Sequence, residues 1–197
     1  CIGSELRGLT QIRGAGGSFP AVAALQSLAA DVAAILGPEV KIGYAADWSE
    51  YHGYQPPGTG DKIFHLDPLW ADPNIGFIGI DNYMPQSDWR DGDDHADAAA
   101  GAIYDLDYLR GNVAGGEGYD WYYHSPEAKA AQIRTPIEDH YGEPWLWRFK
   151  DLRGWWQNRH FNRIRAKLGM PYWSLSAYLK GKVKKRERHG IFNKLLT

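Results

Sequence analysis

The apolar positions near the start of the chain predict a short strand followed by a helix. The opening residues "CIGSE" form the strand, which ends at Glu5. The run "AVAALQSLAADVAAIL" then repeats apolar residues at helical spacing, with Ser18 as N-cap, Pro20 in the first turn and Gly37-Pro38 at its end. The apolar stripe of this helix consists of Val22, Leu25, Leu28, Ala29, Val32 and Ile35.

Two further apolar runs are predicted as strands that also end in polar residues. "VKIGYAAD" ends at Asp47, and "NIGFIGIDNY" ends with Asp81, Asn82 and Tyr83. Apolar strands joined by a helix are typical of parallel pairing, so the predicted class is α/β. Acids after three successive strands favour a (β/α)8 TIM-type barrel. "GAGGS" lacks the G-x-G-x-x-G spacing and does not directly follow a strand, so a dinucleotide-binding sheet is disfavoured.

The length limits how much of a barrel the chain can form. It has 197 residues, 44% of them hydrophobic, and matches one ordinary domain. A full barrel takes about 250 residues, so we expect a partial barrel, truncated at both ends, with an exposed edge strand. Cys1 is the single cysteine, which excludes an internal disulfide framework. No signal-peptide pattern and no apolar run of about 18 residues occurs, so we expect no membrane span.

The charge divides the chain sharply. Residues 1–158 hold 11 Lys and Arg against 23 Asp and Glu, whereas residues 159–197 hold 11 against one. We therefore predict a domain over 1–158 and a basic helical tail over 159–197 that is foreign or frame-shifted. Such a tail can bind nucleic acid or an anionic membrane surface, but a solvated or frayed helix is favoured, and no nucleic-acid partner is expected.

Aromatic residues are concentrated in the long loop after the second strand. Rings of this kind can stack on the apolar faces of sugars. Trp48 directly follows a strand-end acid and is favoured as a site residue. For Tyr54 and Trp70 a satellite core under the loop is an equally good interpretation.

The acidic loop "MPQSDWRDGDDHADAAAG" invites a metal-binding interpretation. It has neither the D-x-D-x-D-G spacing with a distal Glu that calcium loops use nor a His pair at zinc spacing. We predict a solvated loop whose last acids cap a helix from about Ala96 to Leu109, and we expect no metal and no cofactor.

Four longer strings together resemble a known family. They are "IGSELRGLT", "KIGYAADWSEYHGYQP", "HLDPLWADPNIGFIGIDNYMPQSDWRDG" and "GNVAGGEGYDWYY". Between Cys1 and about Asn158 the chain resembles the TIM-barrel-like domain of the tail-hub or host-specificity protein of gene transfer agents and related alphaproteobacterial prophages. The resemblance implies a retaining type of glycoside hydrolase, in which Glu5 is the acid/base and Ser4 stands where many such barrels carry Asn.

The resemblance also implies a sugar site and a biological setting. Cell-envelope glycans such as peptidoglycan or a capsule are the expected ligand, and other tail or baseplate proteins the expected partners. The protein is expected in a phage or gene transfer agent tail particle, made in the bacterial cytoplasm and acting at the host cell envelope. The residues expected to bind the substrate are Ser4, Asp47, Trp48, Tyr51, Asp81, Asn82 and Tyr83.

Glu5 can act as an acid/base, but the sequence shows no second catalytic carboxylate to act with it. A carboxylic acid at the mouth of a barrel can protonate a glycosidic oxygen and then deprotonate water, but a retaining mechanism needs a second carboxylate about 5 Å away. The family's Thr-Glu-Phe/Ile-Gly motif does not occur, so this chain alone is expected to be inactive. The alternatives are a surface or Arg7-paired Glu5, and a glycan-binding or structural module without catalysis.

The basic tail resembles a different family over about residues 160–185. "HFNRIRAKLGMPYWSLSAYLKGKVKK" is similar to the helical insertion of UDP-2,3-diacylglucosamine hydrolases. Because the Asp-x-His and Gly-Asn-His-Asp metal motifs of that family are missing, the resemblance implies no phosphoesterase activity.

Overall fold

The computed structural model of the protein describes residues 1–139 and 142–164. These residues form two compact units, of which the first contains Cys1–Asn82 together with residues 159–164. The second unit contains Tyr83–Asn158. The predicted basic tail lies outside the described residues beyond 164, and so does most of the segment that resembles the hydrolase insertion. No helix in the described part is long and apolar enough to cross a membrane.

The first unit is built from one long helix and several short ones around a small parallel sheet. Its strands are β1 (Gly43–Asp47) and β2 (Phe77–Asp81), paired in parallel with Asp47 opposite Asp81. Its helices are α1 (Arg7–Thr10), α2 (Pro20–Leu36), α3 (Trp48–Tyr51) and α4 (Asp67–Trp70), with a 3-10 turn at Ala15–Gly17.

The opening residues also run parallel to β1. Ile2 N–H donates to Gly43 O at 2.9 Å, Ala45 N–H donates to Gly3 O at 3.1 Å, and Ser4 forms a parallel bridge with Ala45. Three stretches of chain therefore lie side by side in sequence order, with α2 as the crossover between the first two. The residues that the structure describes form no closed barrel.

Helix α2 matches its predicted length but buries only part of its stripe. Pro20 occupies its first turn, but the N-cap is Phe19 rather than Ser18, whose hydroxyl donates to Ala15 O within the 3-10 turn. Val22, Leu25 and Ala29 are buried, whereas Leu28 and Ile35 are 41% and 80% exposed. The difference arises because the helices packed on α2 are the short α1 and α4.

The core of the first unit lies on one face of β1. Tyr44 and Ala46 are fully buried there, and the Tyr44 ring packs against Trp70 with centroids 5.7 Å apart. Trp70 is itself fully buried, so of the two interpretations open for it, the core is the one observed. Burial of one large side chain of this kind stabilises the fold by about 2–3 kcal/mol.

Residues 159–164 return to the first unit. Arg163 and Lys62 exchange backbone hydrogen bonds of 2.6 and 2.8 Å, and the His160 ring stacks on Phe64 at 4.2 Å. The second unit thus ends where the sequence changes charge, but the next residues are packed with the first unit. That residues 159–197 are foreign or frame-shifted stays a prediction.

The second unit is mostly loops and short elements. It contains a 3-10 turn at Ala98–Ala100, α5 (Leu106–Gly111), α6 (Pro126–Ala130), a 3-10 turn at Pro144–Leu146 and α7 (Leu152–Gln157). An antiparallel pair joins β3 (Trp121–Tyr122) to β4 (Thr135–Pro136).

The prediction of one helix from Ala96 to Leu109 is wrong. Gly101, with φ +83°, ends the first turn, and α5 begins only after Asp105, whose carboxylate accepts hydrogen bonds from the N–H groups of Asp107 and Tyr108. An alanine-rich run alone does not overcome a glycine in the left-handed region.

Candidate functional site at the carboxyl ends of the parallel strands

The parallel register collects predicted site residues in one place. We call this place the strand-end edge and define it by Ser4, Glu5, Asp47 and Asp81. Asp47 and Asp81 are direct partners in the register, and Ser4 pairs with Ala45 on the other side of β1. The Ser4 hydroxyl donates to Asp81 Oδ2 at 2.9 Å, across 77 residues of sequence. Side chains from three separate stretches of chain therefore share one edge of the sheet.

Glu5 lies at this edge in an unusual backbone conformation. Its φ is +54°, in the left-handed region that costs a residue with a Cβ about 1–2 kcal/mol. Its N–H donates to Ala45 O at 2.9 Å, and its side chain is exposed. Arg7 donates to Ser49 Oγ at 3.0 Å, and within the described part of the chain it forms no ion pair with Glu5. The carboxylate of Glu5 is thus presented to solvent at the end of its strand.

Asp47 ends β1 and caps α3. Its carboxylate accepts a hydrogen bond from Ser49 N–H at 2.7 Å and another from the Ser49 hydroxyl, while the Glu50 side chain returns to Asp47 N–H at 3.3 Å. This reciprocal arrangement is a capping box. A ligand at Asp47 would therefore compete with Ser49 for the carboxylate oxygens, and substrate binding by Asp47 stays a prediction.

The remaining predicted site residues differ widely in exposure. Trp48, the first residue of α3, is partly buried, whereas Tyr51 is only 1% exposed and lies in the core. Asn82 is exposed directly after β2, and Tyr83, 73% exposed, begins the second unit. Trp48 and Asn82 are thus the members of this group that the first unit presents at its surface.

Glu50, which is not among the residues predicted from the sequence, is fully buried directly beneath the strand-end edge. Its carboxylate accepts hydrogen bonds from the hydroxyl of Thr10 and, at 2.9 and 3.1 Å, from that of Tyr44. Burial raises the pKa of Glu50, and the donated hydrogen bonds only partly oppose this shift. A local signal exists, because Asp47 and Glu50 have capping-box spacing immediately after an apolar strand.

Two buried bases, Lys62 and His65, are also absent from the residues predicted from the sequence. Lys62 is fully buried, with Nζ 2.7 Å from His52 Nδ1, and burial lowers the pKa of Lys62 to about 7. Burial likewise lowers the pKa of His65 to about 4. The interior of the first unit therefore favours the uncharged forms of Lys62 and His65.

The second unit contains a different kind of polar cluster, centred on Arg134. Its guanidinium donates to Asp88 Oδ2 at 2.9 Å and to Asp97 Oδ1 at 2.7 Å, and it stacks on the Trp121 ring at 4.3 Å. The Tyr108 hydroxyl donates to the other oxygen of Asp97 at 2.7 Å. Asp88 and Asp97, two acids of the loop "MPQSDWRDGDDHADAAAG", therefore form ion pairs with Arg134.

The charged form of Asp88 is favoured in this cluster. Burial would raise the pKa of Asp88, but hydrogen bonds from Tyr123, Arg134 and Gln132 outweigh it and lower the pKa below its usual value. The same loop exposes Asp91, Asp93 and Asp94 to solvent. Among residues 1–139 and 142–164, no group of three or more His, Cys, Asp or Glu side chains is arranged to hold a metal ion.

A groove of about 480 Å³ lies on the second unit around the start of α5. None of the predicted site residues lines it; the lining residues are Ala102, Tyr104, Asp105, Leu106, Asp107 and Arg110. The strand-end edge, where the polar groups converge, remains the better candidate because concave shape alone supplies no chemistry.

Comparison with known proteins gives one match. The sequence model of a family described as the GTA TIM-barrel-like domain matches residues 1–175, which extends past the change of charge at residue 159. No curated protein and no solved structure matches the chain.

Proposed function

The chain belongs to the GTA TIM-barrel-like domain family, and from this premise we propose that it is part of a gene transfer agent tail-hub protein that binds glycans of the host cell envelope. The strand-end edge is the glycan site. Glu5 is the acid/base of a domain of the retaining glycoside hydrolase type. The observation that carries the proposal is the exposed Glu5 carboxylate on a strained turn beside the hydrogen-bonded Ser4 and Asp81.

The chemistry of this edge suits a saccharide. In barrels of this type the active site lies at the carboxyl ends of the strands. With its proton donated to Asp81, the Ser4 hydroxyl offers an acceptor for sugar hydroxyls, and the Asp81 carboxylate offers further acceptor sites. Asn82 adds an exposed amide, which can both donate and accept, directly after Asp81. Trp48 supplies an aromatic face for the apolar side of a sugar ring.

Catalysis requires two carboxylates with different tasks. One protonates the glycosidic oxygen, and the other attacks the anomeric carbon from about 5 Å away. Asp47 caps α3 and Asp81 accepts from Ser4, so we assign both to substrate binding and neither to nucleophilic attack. We therefore expect this chain, tested alone, to bind glycan without cleaving it.

A non-catalytic glycan-binding or baseplate module is the second candidate. It is favoured by the same engagement of Asp47 and Asp81, because a carboxylate committed to a helix cap or a hydroxyl is less available for reaction. In both cases the expected setting is the tail particle at the host envelope, with other tail proteins as partners.

The test uses the full 197-residue chain with peptidoglycan sacculi and envelope polysaccharides, measuring co-sedimentation and release of reducing ends. We expect binding without release, and roughly ten-fold weaker binding for Ser4→Ala and Asp81→Asn, because each loses a hydrogen bond worth about 1 kcal/mol or more. Glu39→Gln is the matched control, since Glu39 is exposed in the turn before β1, at the opposite end of that strand.

Three results would contradict parts of this proposal. Binding that is unchanged in Ser4→Ala and Asp81→Asn would remove the strand-end edge as the glycan site. Release of reducing ends by the wild-type chain would show that the expected inactivity is wrong. If such release persisted in Glu5→Gln, the acid/base role of Glu5 would also be lost.

A further inference from the structure

The backbone around Glu5 is held at two consecutive N–H groups. Glu5 N–H donates to Ala45 O at 2.9 Å, as expected for a strand neighbour. Leu6 N–H instead donates to a side chain, the hydroxyl of Tyr44, also at 2.9 Å. The residue with the left-handed φ is thus fixed on its own N–H and on that of the next residue.

The Tyr44 hydroxyl has its direction set by Glu50. A phenol carries one proton, and the distances of 2.9 and 3.1 Å to the two Glu50 oxygens direct that proton to the carboxylate. The oxygen of Tyr44 is then free to accept from Leu6 N–H. Tyr44 and Glu50 are both fully buried, so water does not substitute for either partner.

The Glu50 carboxylate also joins the elements that surround Glu5. It accepts from the hydroxyl of Thr10, the last residue of α1, and from the N–H of Asp47 at the end of β1. Because α1 begins directly after Leu6, the chain leaves Glu5, forms one helical turn and returns to the same carboxylate. Glu50 itself lies on α3, so three elements meet at one buried group.

We propose that Tyr44 and Glu50 are positioning residues that hold the Glu5 turn in its left-handed conformation at the strand-end edge. They do not touch the ligand; they act through the backbone of Glu5 and Leu6. The inference rests on the proposed function in one respect, namely that the orientation of Glu5 matters for glycan binding. The hydrogen-bond chain from Leu6 to Glu50 can be tested without any glycan.

The first measurement is amide hydrogen exchange in the full chain. We expect Leu6 N–H to be protected in the wild type and to exchange roughly ten-fold faster or more in Tyr44→Phe, which keeps the ring but removes the acceptor. The amides of Glu5 and Ala45, bonded to strand carbonyls, should keep their protection. Tyr54→Phe is the matched control, since it removes a hydroxyl elsewhere in the same unit. Glu50→Gln should raise the exchange rate of Leu6 N–H, as Tyr44→Phe does.

The second measurement is a double-mutant cycle on glycan binding. Tyr44→Phe should weaken binding several-fold in the wild-type background and have no further effect in a Glu5→Ala background, because it acts through Glu5. A purely structural role would weaken binding equally in both backgrounds and would overturn the positioning role. An unprotected Leu6 amide in the wild type would overturn the inference whatever the glycan result. A protected Leu6 amide with no glycan binding by the wild type would support the hydrogen-bond chain and contradict the proposed function.

Discussion

The polar interior of the first unit and the Arg134 cluster of the second unit stabilise buried polar groups in opposite ways. In the first unit, burial shifts Glu50, Lys62 and His65 toward their uncharged forms, and hydrogen bonds satisfy Glu50. In the Arg134 cluster, Asp88 and Asp97 both accept from the guanidinium, and hydrogen bonds lower the pKa of Asp88. An interior that depends on uncharged groups responds to protons near neutral pH, whereas an ion-paired cluster does not. The contrast predicts different sensitivities to mutation and to pH.

Removing the Arg134 guanidinium should have the largest effect on stability. Arg134→Met leaves Asp97, with its side chain 14% exposed, without a cation, and leaves Asp88, 7% exposed, with Arg90 alone. We expect the second unit to lose about 3 kcal/mol of stability, because breaking a buried ion pair strands a charge. Urea unfolding followed by exchange of amides in residues 83–158 measures this loss. Arg110→Met is the control, since that arginine is 75% exposed, and equal losses in the two variants would contradict the assignment.

The pH dependence of the first unit should be the next largest effect. The folded-state pKa of Lys62, about 7, lies below its ordinary value of 10.5, so the unfolded chain binds more protons between these values and stability rises with pH. Lowering the pH from 9 to 7 should therefore cost the first unit about 2 kcal/mol. Thermal or urea unfolding across this range measures it. Lys62→Met should flatten the dependence while the exposed Lys41→Met leaves it intact. The second unit should show a smaller fall over the same range, because burial lowers the pKa of its Lys150 to about 8.

A smaller effect is expected from one hydroxyl under the strand-end edge. Thr10→Val keeps the shape of a fully buried side chain but removes a donor to Glu50. We expect a loss of about 1–2 kcal/mol from the first unit, measured by urea unfolding, because the carboxylate loses a partner that water does not replace. Ser27→Ala, which removes an exposed hydroxyl from α2, should change stability by less than about 0.5 kcal/mol. A Thr10→Val variant as stable as the wild type would show that Glu50 does not depend on this donor.

The smallest effect compares the two non-glycine residues with positive φ among those described, one in each unit. Glu5→Gly should be about 1 kcal/mol more stable than Glu5→Ala, because glycine adopts the left-handed region without steric cost. At Gln132, with φ +50°, the side chain donates to Asp88 O and Oδ2 and accepts from Ala96 N–H. Gln132→Gly should therefore be less stable than the wild type. Chemical denaturation of the wild type and the three variants measures both differences in stability. Equal stability of Glu5→Gly and Glu5→Ala would argue against strain at Glu5.

The sequence predicted those parts of the fold whose signals are local. Strand ends at Asp47 and Asp81 agree with the structure because apolar runs stop there, and parallel pairing follows from the helix between the first two stretches. Glu50 was missed because an acid in a polar loop suggests exposure, although its capping-box spacing indicates otherwise. The pairing of Arg134 with Asp88 and Asp97 spans 46 and 37 residues, and no local pattern identifies it.

The backbone pairing of Lys62 with Arg163 has a consequence for the order of folding. Residues 83–158 form one continuous unit. The first unit, by contrast, is completed only by residues 159–164, which follow the second unit in the sequence. During synthesis from the amino terminus, the second unit is fully emerged before the last strand-like contact of the first unit can form. The inserted unit can therefore reach its native contacts first, and closure of the discontinuous unit, with its higher contact order, is the slower event.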